Sequence, residues 1–302
     1  MKLLIALFLS YGVYVLVGPA GFTLHGDILS YRIVRGLYAM IAGSALSLSG
    51  LMLQALFSNP LVEPYILGVS SSATTGSLIA IFFLGIVSAP LISGFSFFFS
   101  ILMVVVLVFF LKKYFPSREA LLLVGISAGS TLTAINSIIM LIKSRQPSSD
   151  LLFWLLGSLS GVGKRELLLI FLLLPLFVVS LFMHRELDLL LWGDEAFAMG
   201  LNQRKVYAEV LIISTALAAT VVSLTGVIGF VGLISPHIGR RIFGWSHKKL
   251  IPASMLIGAL VLLLSDFVAR NLLSPTEIPV GLITSLIGAP LFLYLVMKRN
   301  DF

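Results

Sequence analysis

The chain has no cysteine. That excludes disulfides, thiolate-held metals and cysteine nucleophiles. Charge is scarce as well: 11% of 302 residues are Asp, Glu, Lys or Arg, against about 25% in ordinary soluble domains. No H-E-x-x-H sequence is present, and the four histidines (His25, His184, His237, His247) are scattered, so no metal site is expected. A phosphate-binding loop needs G-x-x-x-x-G-K-[ST]. The nearest approach, SLSGVGKR, has Ser158 for the first glycine and Arg165 for the hydroxyl. The chain is therefore not expected to hydrolyse ATP, and no bound cofactor is expected. Ser127 in GISAGS resembles a nucleophile elbow only loosely, with no base in a recognisable pattern, and close helix packing is the better reading.

What remains is apolar. Hydrophobic residues make up 59% and the mean hydropathy is +1.09. A bilayer-spanning helix takes about 20 apolar residues. The chain thus reads as an all-α, polytopic integral membrane protein, one transmembrane domain over residues 1–302, without room for a separate soluble domain. Ten helices are expected, at about 2–17, 36–57, 65–85, 91–111, 119–142, 166–183, 206–225, 228–243, 250–270 and 279–297. The first is read as an uncleaved helix rather than a signal peptide. The eighth is the weakest, because Gly226, Gly229, Gly232 and Pro236 disfavour a regular helix interior.

Ten spans place both termini on one side. With the N-terminus inside, thirteen Lys and Arg lie inside and seven outside, which favours cytoplasmic termini in a cell membrane. The net charge of +7 then reflects cytoplasmic loops and does not imply nucleic acid. A faint repeat aligns residues 44–60 with 220–236, with Ser47/Ser223, Gly50/Gly226 and Pro60/Pro236 identical. Two halves, about 36–142 and 206–297, would then run in opposite directions, as in inverted-repeat transporters.

Residues 35–72 are rich in Gly and Ser and broken at Asn59-Pro60. Small residues let membrane helices approach closely. A break at membrane depth requires backbone buried in protein or lining a cavity. Arg32, Arg35 and Arg270 fall on the outer side. They read either as interfacial snorkelling or as an outward basic patch that grips carboxylates bidentately. Asp266, one helical turn before Arg270, is a candidate partner for it. The connector from Met183 to Val206 carries Asp194, Glu195, Ala196, Gly200 and Leu201. An acidic first turn and a closing glycine suit a short exposed helix, and a plain solvated loop is the alternative.

Five segments in order, namely RGLYAMIAGSALSLSGLMLQALFSNPLVEPYILGVSSSA, LLLVGISAG, GDEAFAMGL, TGVIGFVGLISPHIGRRIFG and the stretch from LLLSDFVAR to LFLYLVMK, resemble the FecCD-type permeases. These are the membrane subunits of ABC importers for iron-siderophores, haem and vitamin B12. The resemblance implies a vitamin B12 importer permease-like fold and alternating access. The implied partners are a second copy as homodimer, two ATP-binding-cassette ATPase subunits that use the ATP, an extracytoplasmic binding protein, and a metal-chelate substrate. By position, Arg32, Arg35 and Arg270 would meet the binding protein. Val34 departs from the family's R-x-P-R motif but keeps both charges. Asp194, Glu195, Ala196, Gly200 and Leu201 would contact the ATPase. Asn59, Pro60, Leu61 and Ser117 would form the inner gate, and Gly125, Ser127 and Gly129 the path. The rivals are an ion-coupled secondary transporter with inverted repeats, a lipid-processing intramembrane enzyme and a free Zn or Mn permease. The residues do not name the chelate.

Overall fold

A computed structural model describes residues 2–19, 21–22, 25–114, 117–143, 155–191 and 202–297. It is helical, with a two-residue hairpin ladder, β1 (Val17–Gly18) and β2 (Gly21–Phe22). The helices are α1 (Lys2–Leu16), α2 (Gly26–Leu56), α3 (Val69–Phe82), α4 (Ala89–Tyr114), α5 (Arg118–Lys143), α6 (Lys164–Phe182), α7 (His184–Leu190), α8 (Gln203–Thr225), α9 (Val231–Phe243), α10 (His247–Asn271) and α11 (Val280–Met297). A 3-10 step, Phe171–Leu173, interrupts α6. Among the described residues, ten of these eleven match the runs read from hydropathy. The extra one, α7, forms inside the charged connector.

Six helices (α2, α4, α5, α6, α8 and α10) are long and apolar enough to cross a membrane. Besides the short connector helix α7, two internal ones are not. α3 has 14 residues and α9 has 13, which at 1.5 Å per residue gives about 20 Å, short of the ~30 Å hydrocarbon core. Both begin inside the bundle. A Cβ on Gly129 would lie 2.9 Å from the Cα of Gly68, the residue before α3, and Gly129 stands about 16 Å along α5 from Arg118. Each begins at a residue with positive φ, Gly68 at 78° and Phe230 at 67°. Irregular segments 57–68 and 226–230 lead into them.

α2 is the spine. Its residues 45–56 are wholly buried, and its small residues admit neighbours on several sides. Ser44 and Ser47 donate to the carbonyls of Met255 and Ser254 on α10, and Ser49 donates to Ser214 on α8. Pro236 within α9 lacks an N–H, so the carbonyl four residues before it loses its helical partner. That carbonyl belongs to Gly232, and Gln54 Nε2 of α2 donates to it at 3.2 Å. The weakest hydropathy signal thus forms a helix because a neighbour supplies the missing bond.

The helices of residues 36–142 and 206–297, expected to be two halves, make contacts in corresponding pairs. α2 lies on α10 as α8 lies on α4, and α3 lies on α4 as α9 lies on α10. Position by position the aligned residues differ: Gly50 is inside α2, whereas Gly226 ends α8 at φ 75°. Pro60 is in a turn, whereas Pro236 is inside a helix.

Candidate functional site: a translocation pathway and its two ends

At one end, α1, α2 and α10 converge on Arg35. Its Nε and Nη2 donate to Asp266 Oδ2 and Oδ1 at 3.0 and 2.8 Å, and Nη1 donates to Glu277 at 3.0 Å and to Tyr31 OH at 2.9 Å. Tyr14 OH donates to Asp266 at 2.6 Å. Arg32 donates to the carbonyls of Val15 and Leu16, and Arg270 to those of Tyr14 and Val17, with its guanidinium 3.9 Å from the Tyr14 ring centre. A helix leaves its last carbonyls without intrahelical partners, and cations are favoured there by the helix dipole. Arg32 and Arg270 satisfy the C-terminal end of α1 in that way.

The sequence reading is corrected here in two respects. The three arginines come together, but they turn inward, with exposures of 2%, 1% and 3% for Arg32, Arg35 and Arg270. Asp266 pairs with Arg35 across the fold rather than with Arg270 one turn away. Orphan carbonyls and a buried carboxylate claim the guanidiniums before solvent can. Glu277, with its side chain 31% exposed, is the outward member of the cluster.

In the middle, α5 exposes Ser127, Ser130, Thr131, Thr133 and Ser137. Thr131, Thr133 and Ser137 each donate to the carbonyl four residues back. Their donors are spent within the helix, and their lone pairs face outward. Such a face suits water or a polar path better than lipid. A cavity of about 520 Å³ runs along it, lined by Tyr65, Ser71, Gly129, Ser130, Thr133 and Ser137. Gly129 therefore belongs to the cavity wall. Gly125 packs beneath Leu67 instead, and Ser127 lies on the exposed face outside the lining.

At the other end, Asn59 and Pro60 line a smaller cavity with Arg118, Glu119 and Leu122. Asn59 Oδ1 accepts from Leu61 N at 2.9 Å, fixing the turn, and Leu61 is 50% exposed. Ser117 Oγ accepts from Ala120 N at 3.2 Å, starting α5. The 59–61 turn and the start of α5, the two segments expected to form the inner gate, thus lie across one cavity from each other. Asp194, Glu195, Ala196, Gly200 and Leu201 lie outside the described residues. Their flanks are fixed: Asp188 on α7 accepts from the backbone N of His247 and bonds its Nδ1, at 2.8 and 2.7 Å. His237 packs edge-on against Phe292.

The sequence reading missed Glu63 and Arg118. Glu63 lines a third cavity, of about 330 Å³, and its Oε2 accepts from Phe230 N at 3.1 Å. It caps the start of α9, where a carboxylate is favoured by the dipole. A lone acid between Pro60 and Pro64, in an otherwise apolar stretch, was the available signal. Among the described residues, no cluster of three or more His, Asp or Glu is arranged to hold a metal ion.

Several known proteins resemble the chain. The hemin transport system permease protein HmuU of Yersinia pestis is 36% identical over 282 residues, covering 90% of this chain and 84% of that protein. The molybdate import system permease protein MolB of Haemophilus influenzae is 37% identical over 282 residues (90% and 81%). The vitamin B12 import system permease protein BtuC of Vibrio vulnificus is 33% identical over 279 residues (92% and 84%). A solved structure described as an inward-facing conformation of a metal-chelate type ABC transporter superposes with a TM-score of 0.90 at 34% identity, over 98% of both chains. PsaBC from Streptococcus pneumoniae, at 16% identity and a TM-score of 0.58 over 87% of this chain and 90% of that one, shares the fold alone. The model of the FecCD transport family matches residues 4–298, and with that span covered this multi-pass membrane protein belongs to the FecCD transport family.

Proposed function

We propose that the chain is one of two identical membrane subunits of an importer that moves a metal chelate inward by alternating access. The supporting observation is the hydroxyl face of α5 with its adjoining cavity. An exposed polar stripe on a membrane-length helix is costly against lipid and is relieved when a second copy faces it across an aqueous path. Hydroxyls whose donors are already spent would hold a bulky chelate weakly, whereas a naked cation needs carboxylate or imidazole ligands. Both termini are read as cytoplasmic, and the halves at about 36–142 and 206–297 as an inverted repeat. ATP is used by two partner ATPase subunits, which Asp194, Glu195, Ala196, Gly200 and Leu201 would meet. A binding protein would dock on the Arg35 end, where its carboxylate would compete with Glu277 for Arg35.

The test is reconstitution of the chain in liposomes with its ATPase and binding protein, followed by uptake of haem, a ferric siderophore, cobalamin and molybdate. Uptake of one of these that requires ATP supports the reading. Uptake by the chain alone, driven by a proton or sodium gradient, overturns it for the secondary transporter. Glu63 is the observation on that rival's side, a carboxylate lining an interior cavity. Glu63→Gln separates the two, because it keeps a cap for α9 but cannot titrate. ATP-driven uptake persists in that variant, and gradient-driven uptake is lost.

A second expected result concerns the path. Ser130→Trp fills the hydroxyl-lined cavity from an exposed position, so folding and ATPase activity are retained. Uptake is lost, because the indole occupies the space the chelate has to cross. Undiminished uptake in the liposome assay removes the cavity from the path.

A further inference from the structure

Arg118, the first residue of α5, makes contacts that none of the expected roles uses. Its Nη2 donates to the carbonyl of Leu190 at 3.1 Å, its Nε donates to Tyr207 OH, and its Nη1 donates to Ser58 Oγ. The guanidinium also lies 5.5 Å from the centre of the Tyr207 ring. Gln203 Nε2 reinforces the Tyr207 hydroxyl at 3.2 Å. Leu190 is the last residue of α7 and Tyr207 lies in the first turns of α8. They lie on the two sides of the connector's 194–201 stretch. Ser58 opens the turn that carries Asn59, Pro60 and Leu61, and it adopts φ 47°. That left-handed conformation is uncommon for a residue with a side chain. Arg118 itself follows Ser117. One side chain therefore joins both sides of the 194–201 stretch to both segments of the gate.

We infer that Arg118 is the positioning residue that transmits displacement of the connector to the gate. The inference rests on the proposed reading that the connector contacts the ATPase. Along the chain, movement imposed there reaches Leu190 on one side and Tyr207 on the other. The planar guanidinium holds fixed angles among its donors, so its partners move with it. A lysine ammonium is a single point on a flexible stem and cannot hold three partners in that geometry. Buried packing carries the α8 flank, since Tyr207 is 2% exposed. The Ser58 turn is exposed at the cavity mouth and is free to respond.

The complete transporter in liposomes tests this with two readouts. The first is ATP hydrolysed per substrate imported. Arg118→Met retains ATP hydrolysis and raises that ratio by roughly twofold to thirtyfold, the range for residues that carry coupling between sites. Arg118→Lys raises it less. The second is the rate at which a thiol reagent labels Leu61→Cys, a unique thiol in a chain without cysteine. Labelling changes on ATP addition in the parent and no longer changes with Arg118→Met. An unaltered ratio together with ATP-responsive labelling overturns the inference. Should Arg118→Met fail to assemble, Ser58→Ala and Tyr207→Phe each remove one bond; a partial rise in the ratio supports the inference, and no rise in either overturns it. Cross-linking of Ala196→Cys to the ATPase in the parent background separates the two layers. Without a cross-link the connector reading falls and takes this inference with it. With a cross-link and an Arg118→Met variant that couples normally, the inference falls alone.

Discussion

Asp266→Ala is expected to destabilise the folded chain by about 3–5 kcal/mol, the cost of removing one member of a buried ion pair. Asp266 is fully buried and holds Arg35 through two hydrogen bonds. Its loss leaves the Arg35 Nε and Nη2 donors unpaired and takes the acceptor from Tyr14 OH. Glu277 still engages Nη1, which places the expected cost toward the lower part of that range. The penalty comes from stranding a charge, not from the worth of the pair. The double variant Arg35→Met with Asp266→Leu, which removes both charges and keeps the volume, therefore recovers most of the loss. Thermal unfolding in detergent measures both. A single variant as stable as the parent, or a double variant no better than the single, would contradict the arrangement described at this end.

Gly50→Ala is the second large effect, although it adds one methyl group. A Cβ at residue 50 would lie 1.9 Å from the carbonyl oxygen of Gly232 and 2.7 Å from its Cα. The obstacle is backbone on another helix, so no rotamer change removes it, and α9 has to move away from α2. Overpacking of this kind costs about 1–3 kcal/mol and occasionally more. Here a second loss is attached, because the same carbonyl accepts from Gln54 in place of the N–H that Pro236 lacks. Leaving it unpaired adds about 1–3 kcal/mol. Gly12→Ala is the control, since a Cβ there meets nothing within 4 Å. It is expected to leave the fold intact and, if anything, to raise stability by up to about 1 kcal/mol, the helix-propensity gain of alanine over glycine. Equal unfolding temperatures for the two variants would show that α2 and α9 do not touch at this point.

Hydropathy located ten of the eleven helices among the described residues because each is an apolar run of sufficient length. It could not show that α3 and α9 begin deep in the bundle. Depth depends on what lies beside a segment, and Gly68 meets Gly129 some sixty residues along the chain. The same blindness explains the arginines. Position identified Arg32, Arg35 and Arg270, but their direction is decided by acceptors on α1 and α10. The helical rule that pairs residues four apart offered Asp266 to Arg270, and the fold gave it to Arg35, 231 residues away. Arg118 was invisible for a related reason. A lone arginine at a helix start looks like an ordinary cytoplasmic charge until Ser58, Leu190 and Tyr207 are brought around it. The helix breaks at Asn59-Pro60 and before α5 were legible because interruption is a local property.

The Arg35 cluster also bears on how the protein is made. Chains emerge from the N-terminus at about 5–20 residues per second, so α1 and α2 enter the bilayer long before α10 exists. Throughout that interval Arg35 has neither Asp266 nor Glu277, and the last carbonyls of α1 lack Arg270. An unpaired arginine near a membrane boundary reaches for water, which holds the start of α2 at the surface until its counter-charge is inserted. Closure of this end is then one of the final steps of biogenesis. A nascent chain stopped before residue 266 would display a bare guanidinium by which membrane proteases could distinguish it from the finished protein.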